Sequence, residues 1–221
     1  LPQRSQMLLE PRKQPVQARS TASVDAILEA TTQVLLSVGK ERLTTTKVAL
    51  RAGVSVGTLY QYFPNKSALL QGALIRHLDE VTEAIERVCR EQRGKTLKEM
   101  AAALINAFLA TKMRDVKTSV ALYSVSSDVD GAKIAQQMQL HTNNSVAGML
   151  ATTSDTLTKD PQLVASMVQS AMAGVSRRLL ESVEPAKQVE ALRQELIFFI
   201  CAYLEACSVR PAGLATVVEP S

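Results

Sequence analysis

The sequence predicts an all-α protein of about nine helices, three small ones first and a larger bundle behind. Three observations carry this expectation. The 221 residues include only nine Gly and eight Pro, too few for a loop-dominated fold. Helix-favouring Ala, Leu, Gln, Glu and Arg are abundant, whereas aromatics make up 4% and Trp is absent, unlike an aromatic-rich β-sandwich. Apolar residues recur at helical spacing between capping residues, and no segment alternates as a strand would. With 46% apolar and 21% charged residues, the composition excludes wholesale disorder.

Each element follows in order. Residues 1–19 are polar, hold Pro2, Pro11 and Pro15, lack a signal-like apolar core, and read as a flexible basic arm. Ser20-Thr21-Ala22-Ser23 offers N-caps. Val24, Ile27, Leu28, Thr31, Val34, Leu35 and Val38 then keep helical spacing until Gly39, which fits a C′ position. Thr44 caps a short helix with Val48, Ala49 and Ala52 that stops at Gly53, and Ser55 caps a third that ends at Pro64. Two short helices joined so tightly have the layout of a helix-turn-helix. Asn65 caps a long fourth helix whose Leu69, Ala73, Leu74, Leu78, Val81, Ile85 and Val88 share a face before Gly94.

Thr96-Leu97-Lys98-Glu99 is a capping box ahead of Met100, Leu104, Ala107 and Phe108. A short helix from Asp115 should turn Val116, Val120 and Tyr123 inward, and one from Asp130 should bury Ile134, Met138, His141 and Met149. Asp160-Pro161 pairs an N-cap with Pro at N1 and opens a helix with Val164, Met167, Val168, Ala171, Gly174, Val175 and Leu179. Pro185 opens the last helix, with Val189, Leu192, Leu196, Phe199, Ile200 and Tyr203. The expected domains are an arm over 1–19, a helix-turn-helix domain over 20–66, a larger domain over 67–210 and a loose tail over 211–221.

Charge and motif content narrow the function. The first 70 residues carry nine basic and four acidic side chains, while the rest of the chain is nearly balanced. That asymmetry suits a polyanion partner, although a merely soluble basic surface has the same composition. No apolar run nears the roughly 18 residues of a membrane span, so no membrane partner is expected. Cys89, Cys201 and Cys207 are odd in number without a C-x-x-C pair, which fits a reducing cytoplasm. His77 and His141 are the only histidines and have no metal spacing, and no G-x-S-x-G, Walker or G-x-G-x-x-G pattern occurs. Neither an enzyme nor a cofactor is expected; His77 should be solvent-exposed, and His141 should pack or bond locally. A thiol-responsive variant rests on Cys89, which has Arg87 and Arg90 nearby, and on Cys201 and Cys207, which lie six apart; buried inert thiols are the alternative.

The third helix points to the partner. On a helical wheel Leu59, Tyr62 and Phe63 share the inner side, Gly57, Tyr60 and Gln61 the outer, with Val56 and Thr58 at the flanks. An exposed Gly costs a short helix about 1 kcal/mol relative to Ala, and close approach of the backbone to a ligand supplies a reason for it. Thr58, Tyr60 and Gln61 carry hydrogen-bonding tips suited to base edges and phosphate oxygens. Lys66, in the first turn of the fourth helix, would add an ammonium to exposed amides. Tyr62 is either core or reaches the rim with its hydroxyl.

Thr44 to Leu70 reads T-T-T-K-V-A-L-R-A-G-V-S-V-G-T-L-Y-Q-Y-F-P-N-K-S-A-L-L. This run resembles the DNA-binding signature of TetR-type transcriptional regulators, nearly without gaps. The resemblance implies a homodimer on a palindromic double-stranded DNA operator, a C-terminal ligand pocket, and repression released by a small-molecule inducer; an activator would share the same DNA-binding part. On this pattern Thr44, Thr46, Lys47, Val56, Gly57, Thr58, Tyr60, Gln61, Tyr62 and Lys66 form the DNA-binding set. Gln61 would read adenine and Val56 a thymine methyl. Thr46 and Val56 stand where family members often carry basic or polar groups, which leaves fewer phosphate contacts in the core motif. Arg4, Arg12, Lys13 and Arg19 of the arm would compensate in a minor groove, unless the arm makes no contact. Pocket candidates are Met100, Leu104, Phe108, Tyr123, Met138, His141, Asn144 and Met149, each of which also fits ordinary core packing. The last two helices would pair two subunits through Val164, Met167, Ala171, Gly174, Val175, Phe199 and Tyr203, with Ala202 and Ala206 permitting close approach; intrachain packing is the alternative.

Overall fold

The computed structural model describes residues 18–209, so residues 1–17 of the expected arm and the whole tail lie outside the described residues. Among the described residues there are nine α-helices: α1 (Ala18–Arg42), α2 (Thr45–Ala52), α3 (Val56–Tyr62), α4 (Lys66–Glu91), α5 (Leu97–Met113), α6 (Val116–Val125), α7 (Gly131–Leu150), α8 (Pro161–Glu181) and α9 (Pro185–Ala206). The fold is all-α, a helix-turn-helix followed by a C-terminal helical region. Helix α1 starts earlier than its apolar run suggested and takes in Ala18 and Arg19, which composition had placed in the arm.

The caps form from the residues that announced them. Thr44 accepts the Lys47 amide and Ser55 that of Thr58. Thr96 and Glu99 make both halves of the capping box, and Asp160 accepts two amides ahead of Pro161. Gly39, at φ 75 and ψ 167, breaks α1 after Val38, and helical hydrogen bonding resumes only across that kink. Gly53 ends α2 in the left-handed region at φ 68. One feature had no sequence signal: β1 (Thr156–Leu157) pairs antiparallel with β2 (Ser208–Val209), Thr156 opposite Val209. Two-residue strands are too short to show a period.

The chain packs as two compact units, and α4 and α7 each contribute to both. The first comprises residues up to Glu80 together with Asp115–Met138. Its core joins Ile27, Val34, Leu43, Val48, Leu59, Phe63 and Leu69 to Leu122, Val125, Val129 and Ile134. The sequence division after residue 66 follows the DNA-binding motif, whereas packing brings α6 onto α1. Helix α6 buries Ser119, Leu122 and Val125, and the expected Val116, Val120 and Tyr123 are only half-buried. Helix α4 approaches so closely at Gly72 that a Cβ there would lie 2.8 Å from Leu28 Cδ2 and 3.0 Å from Phe63 Cε1.

The second unit comprises Val81–Arg114 and the chain from Gln139 onward. Met100, Leu104, Ile105, Val146, Met149, Val164, Val168, Met172, Leu196, Ile200 and Leu204 form its core. A hydrogen-bonded polar chain stitches α7 to α8: Thr142 Oγ1 donates to Gln169 Oε1 at 2.7 Å, and Gln169 Nε2 to Asn143 Oδ1 at 3.0 Å. Asn143 Nδ2 donates to Gln162 Oε1 at 2.7 Å, and Gln162 Nε2 to Asn144 Oδ1 at 3.2 Å. No helix among the described residues is long and apolar enough to cross a membrane.

Candidate nucleic-acid interface

Helix α3 is fixed from one side only. Leu59 is fully buried and Phe63, its C-cap, nearly so, and Tyr62 is half-buried beside them. Val56, Gly57, Tyr60 and Gln61 face outward, and Thr58 is half-buried with its hydroxyl 2.8 Å from that of Ser55. None of these outward residues is charged. At Gly57 an added Cβ would meet only Ser55 Oγ, at 3.7 Å, so nothing in the fold requires the missing side chain. The Tyr60 hydroxyl lies 3.1 Å from Thr45 Oγ1, which ties the outer face of α3 to the first residue of α2. Thr45 was not singled out in the sequence; its signal was its place directly after the Thr44 cap, beside Thr46, which is exposed.

The cations gather at the end of α1. Lys47 Nζ donates to the Arg42 carbonyl at 2.9 Å, and Lys66 Nζ donates to the Lys40 carbonyl. Lys66, expected to add its ammonium to exposed amides, is half-buried and braces the kink of α1 with one of its three donors. The Lys40 ammonium sits 2.7 Å from the Asp128 carboxylate, whose hydrogen bond raises its pKa above the ordinary lysine range. Arg51 and Arg76 are drawn onto the outer side of α1, to Gln33 and Glu29.

The other predicted residues scatter. Met100, Leu104, Phe108 and Met149 are buried in the core of the second unit. Tyr123 and Met138 belong to the first unit and are half-buried. His141 and Asn144 are exposed, His141 Nε2 3.2 Å from Glu86 Oε1 and Asn144 bonded to Gln162. The eight pocket candidates thus divide between the two units, two in the first and six in the second. His77, expected in solvent, is half-buried with Nε2 3.2 Å from Ser119 Oγ.

The candidates for subunit pairing divide likewise. Val164 is fully buried in its own chain, and Ala171, Val175 and Tyr203 are half-buried against the core. Met167, Gly174 and Phe199 are exposed, and they are joined by two residues the sequence reading passed over, Phe198 at 70% exposure and Leu163 at 55%. Those two were legible in principle: once Leu196, Ile200 and Leu204 point inward, Phe198 must point outward. Burial pushes the Cys89 thiol up to about 11 and also raises Cys201, so the thiolate that a redox switch needs is scarce at neutral pH. Among the described residues no group of three His, Cys, Asp or Glu could hold a metal ion.

Comparison with known proteins places this geometry. Residues 27–73 match the model for bacterial regulatory proteins of the tetR family, and residues 96–204 match that for the tetracyclin repressor-like C-terminal domain. The nucleoid occlusion factor SlmA of Photobacterium profundum is 33% identical over 76 residues, 34% of this chain and 39% of that protein. The HTH-type transcriptional repressor KstR of Rhodococcus jostii is 31% identical over 114 residues, 52% of each chain. The chain thus spans only about four- to five-tenths of the length of these relatives. A crystal structure from Mesorhizobium loti superposes with a TM-score of 0.72 at 18% identity, covering 87% of this chain and 100% of the other. With a reading-helix motif and a C-terminal domain that both match, the chain belongs to the TetR family of transcriptional regulators.

Proposed function

We propose that the protein is a dimeric, cytoplasmic repressor that grips a palindromic operator and lets go when a small molecule binds its second unit. The observation that carries the DNA-binding part is Gly57. It is an outward glycine whose side-chain space is empty, on a helix face of uncharged hydrogen-bonding tips. Backbone contact with a duplex accounts for it; packing does not. In this reading Gly57 lets α3 sit deep in the major groove, where Gln61 addresses adenine and Val56 a thymine methyl. Thr44, Thr46, Lys47, Thr58, Tyr60 and Tyr62 hold phosphates around it, with Thr45 steadying the Tyr60 hydroxyl and Lys66 sharing its remaining donors. Met167, Gly174, Phe199, Leu163 and Phe198 form the apolar face that a second copy covers, setting two reading helices about 34–36 Å apart. An inducer acts by binding better to the wrongly spaced conformation, since equal affinity for both would shift nothing.

Repression, rather than activation, is supported by the likeness to KstR. The likeness to SlmA, a nucleoid occlusion factor, supports a second reading in which DNA is bound without control of a nearby gene. Selection of bound fragments from a genomic library tests both. Fragments at promoters whose transcripts rise on deletion of the gene support the first reading, and dispersed sites with unchanged transcripts support the second. The variant Tyr60→Ala/Gln61→Ala should lose the selected fragments while remaining folded; full retention would overturn the assignment of α3.

A further inference from the structure

We infer that Asp128 sets the affinity for DNA: its carboxylate occupies Lys40 and so withholds one cation from the phosphate-facing group at the junction of α1 and α2. The inference rests on the DNA-binding reading above. Lys40, Arg42, Lys47 and Lys66 lie together because Lys47 and Lys66 donate to the Arg42 and Lys40 carbonyls. Lys47 stands in the first turn of α2, and Lys66 begins α4 just after the C-cap of α3. Lys47 and Lys66 each use one donor on neutral main chain. Lys40 instead meets a carboxylate 2.7 Å away.

That carboxylate is firmly mounted. Asp128 closes the single-turn helix Ser126–Asp128, held between Val125 and Val129, both buried in the same core as α1. Gly131 packs so tightly behind it that a Cβ would lie 2.5 Å from that of Ser126. The pair is nevertheless wet, with side chains 36% and 41% exposed, so a phosphate can compete for Lys40 once the acid is gone. Glu41 adds a weaker field at the same ammonium and is unaffected by the change.

The full chain is titrated against a duplex that it retains, by fluorescence anisotropy at several salt concentrations. Asp128→Asn should steepen the slope of log K against log salt by about 0.9 per bound headpiece. It should also tighten binding by up to about fivefold. Asp128→Glu should stay at the wild-type slope, and Asp128→Asn combined with Lys40→Gln should return to it. Equal slopes for wild type and Asp128→Asn would overturn the inference. So would a steepened slope that survives Lys40→Gln, because the acid would then act as general repulsion rather than through Lys40. Weaker binding by Asp128→Asn with a lowered melting temperature would also overturn it, making the pair a structural latch. If the wild-type chain retains no duplex at any salt, the DNA-binding reading itself has failed, an outcome distinct from these.

Discussion

Two glycines in the first unit should respond to the same substitution in opposite directions. Gly57→Ala adds a methyl group that meets nothing closer than Ser55 Oγ at 3.7 Å, so no cost of packing arises. The exchange also removes the helix penalty of glycine, about 0.8–1.0 kcal/mol in a helix interior and less in a first turn, so the folded protein should gain about 0.5 kcal/mol. Gly72→Ala gains the same propensity but drives its Cβ to 2.8 Å from Leu28 and 3.0 Å from Phe63. Overpacking costs about 1–3 kcal/mol, and Phe63 is nearly buried with little room to yield, so a net loss of about 1–2 kcal/mol follows. Urea titration of both variants reads these numbers directly.

DNA affinity should divide them the other way. On the proposed docking of α3, the methyl group of Gly57→Ala would stand between backbone and duplex, and a loss of tenfold or more, about 1.4 kcal/mol, is expected. Gly72→Ala should bind normally once corrected for the fraction folded. A Gly57→Ala protein that is stabilised yet binds with undiminished affinity would refute the reasoning, since the empty space above Gly57 would then serve no ligand.

Further expectations follow from other regions. Phe198→Glu should give a smaller species in sedimentation velocity without lowering the unfolding midpoint of the isolated subunit, because Phe198 is already 70% exposed. Burial lowers the Lys112 pKa from 10.5 to about 8, so the folded chain gives up that proton before the unfolded one does. Stability should therefore rise as pH goes from about 8 to 10.5, by about 1–2 kcal/mol once its partial exposure is allowed for, and Lys112→Met should flatten the rise in urea titrations. Cys89, pushed up to about 11, should alkylate far more slowly in native than in unfolded protein at a pH of about 8, as mass spectrometry would show. A peroxide-induced, reductant-reversible loss of DNA binding would restore the thiol-switch alternative.

What the sequence made legible was local, and what it hid depended on partners distant along the chain. Thr44, Ser55, Thr96 and Asp160 cap helices because a short side chain needs only its own next turn, and Gly39 and Gly53 end helices for the same kind of reason. The outward and inward sides of α3 were readable because seven residues make two turns with one clear apolar face. Helix α6 misled because its apolar residues ring it: Val116, Val120 and Tyr123 offered one plausible stripe, and Leu122 and Val125 another. Packing onto α1, together with the Ser119 contact to His77, selected the second. The pocket candidates were ambiguous for a related reason, since an apolar side chain on a wheel cannot say whether a helix or a ligand covers it. The hold on Lys66 was not legible because its acceptor, the Lys40 carbonyl in the last turn of α1, lies 26 residues away along the chain.

These placements separate two properties that composition alone would have merged. The positive charge of the first third suggested that affinity and recognition arise from one basic surface. In the structure the outward face of α3 carries no charge, while Lys40, Arg42, Lys47 and Lys66 collect beside it around the α1 terminus. Counterion release depends on the number of phosphates neutralised and carries no sequence information, whereas base-edge contacts carry sequence with little dependence on salt. The flank should therefore set how tightly any duplex is held, and α3 which duplex is preferred. If Asp128 acts on the flank alone, as inferred, Asp128→Asn should change residence on DNA without changing which duplex is preferred, whereas changes at Val56, Gly57 or Gln61 should change the preference.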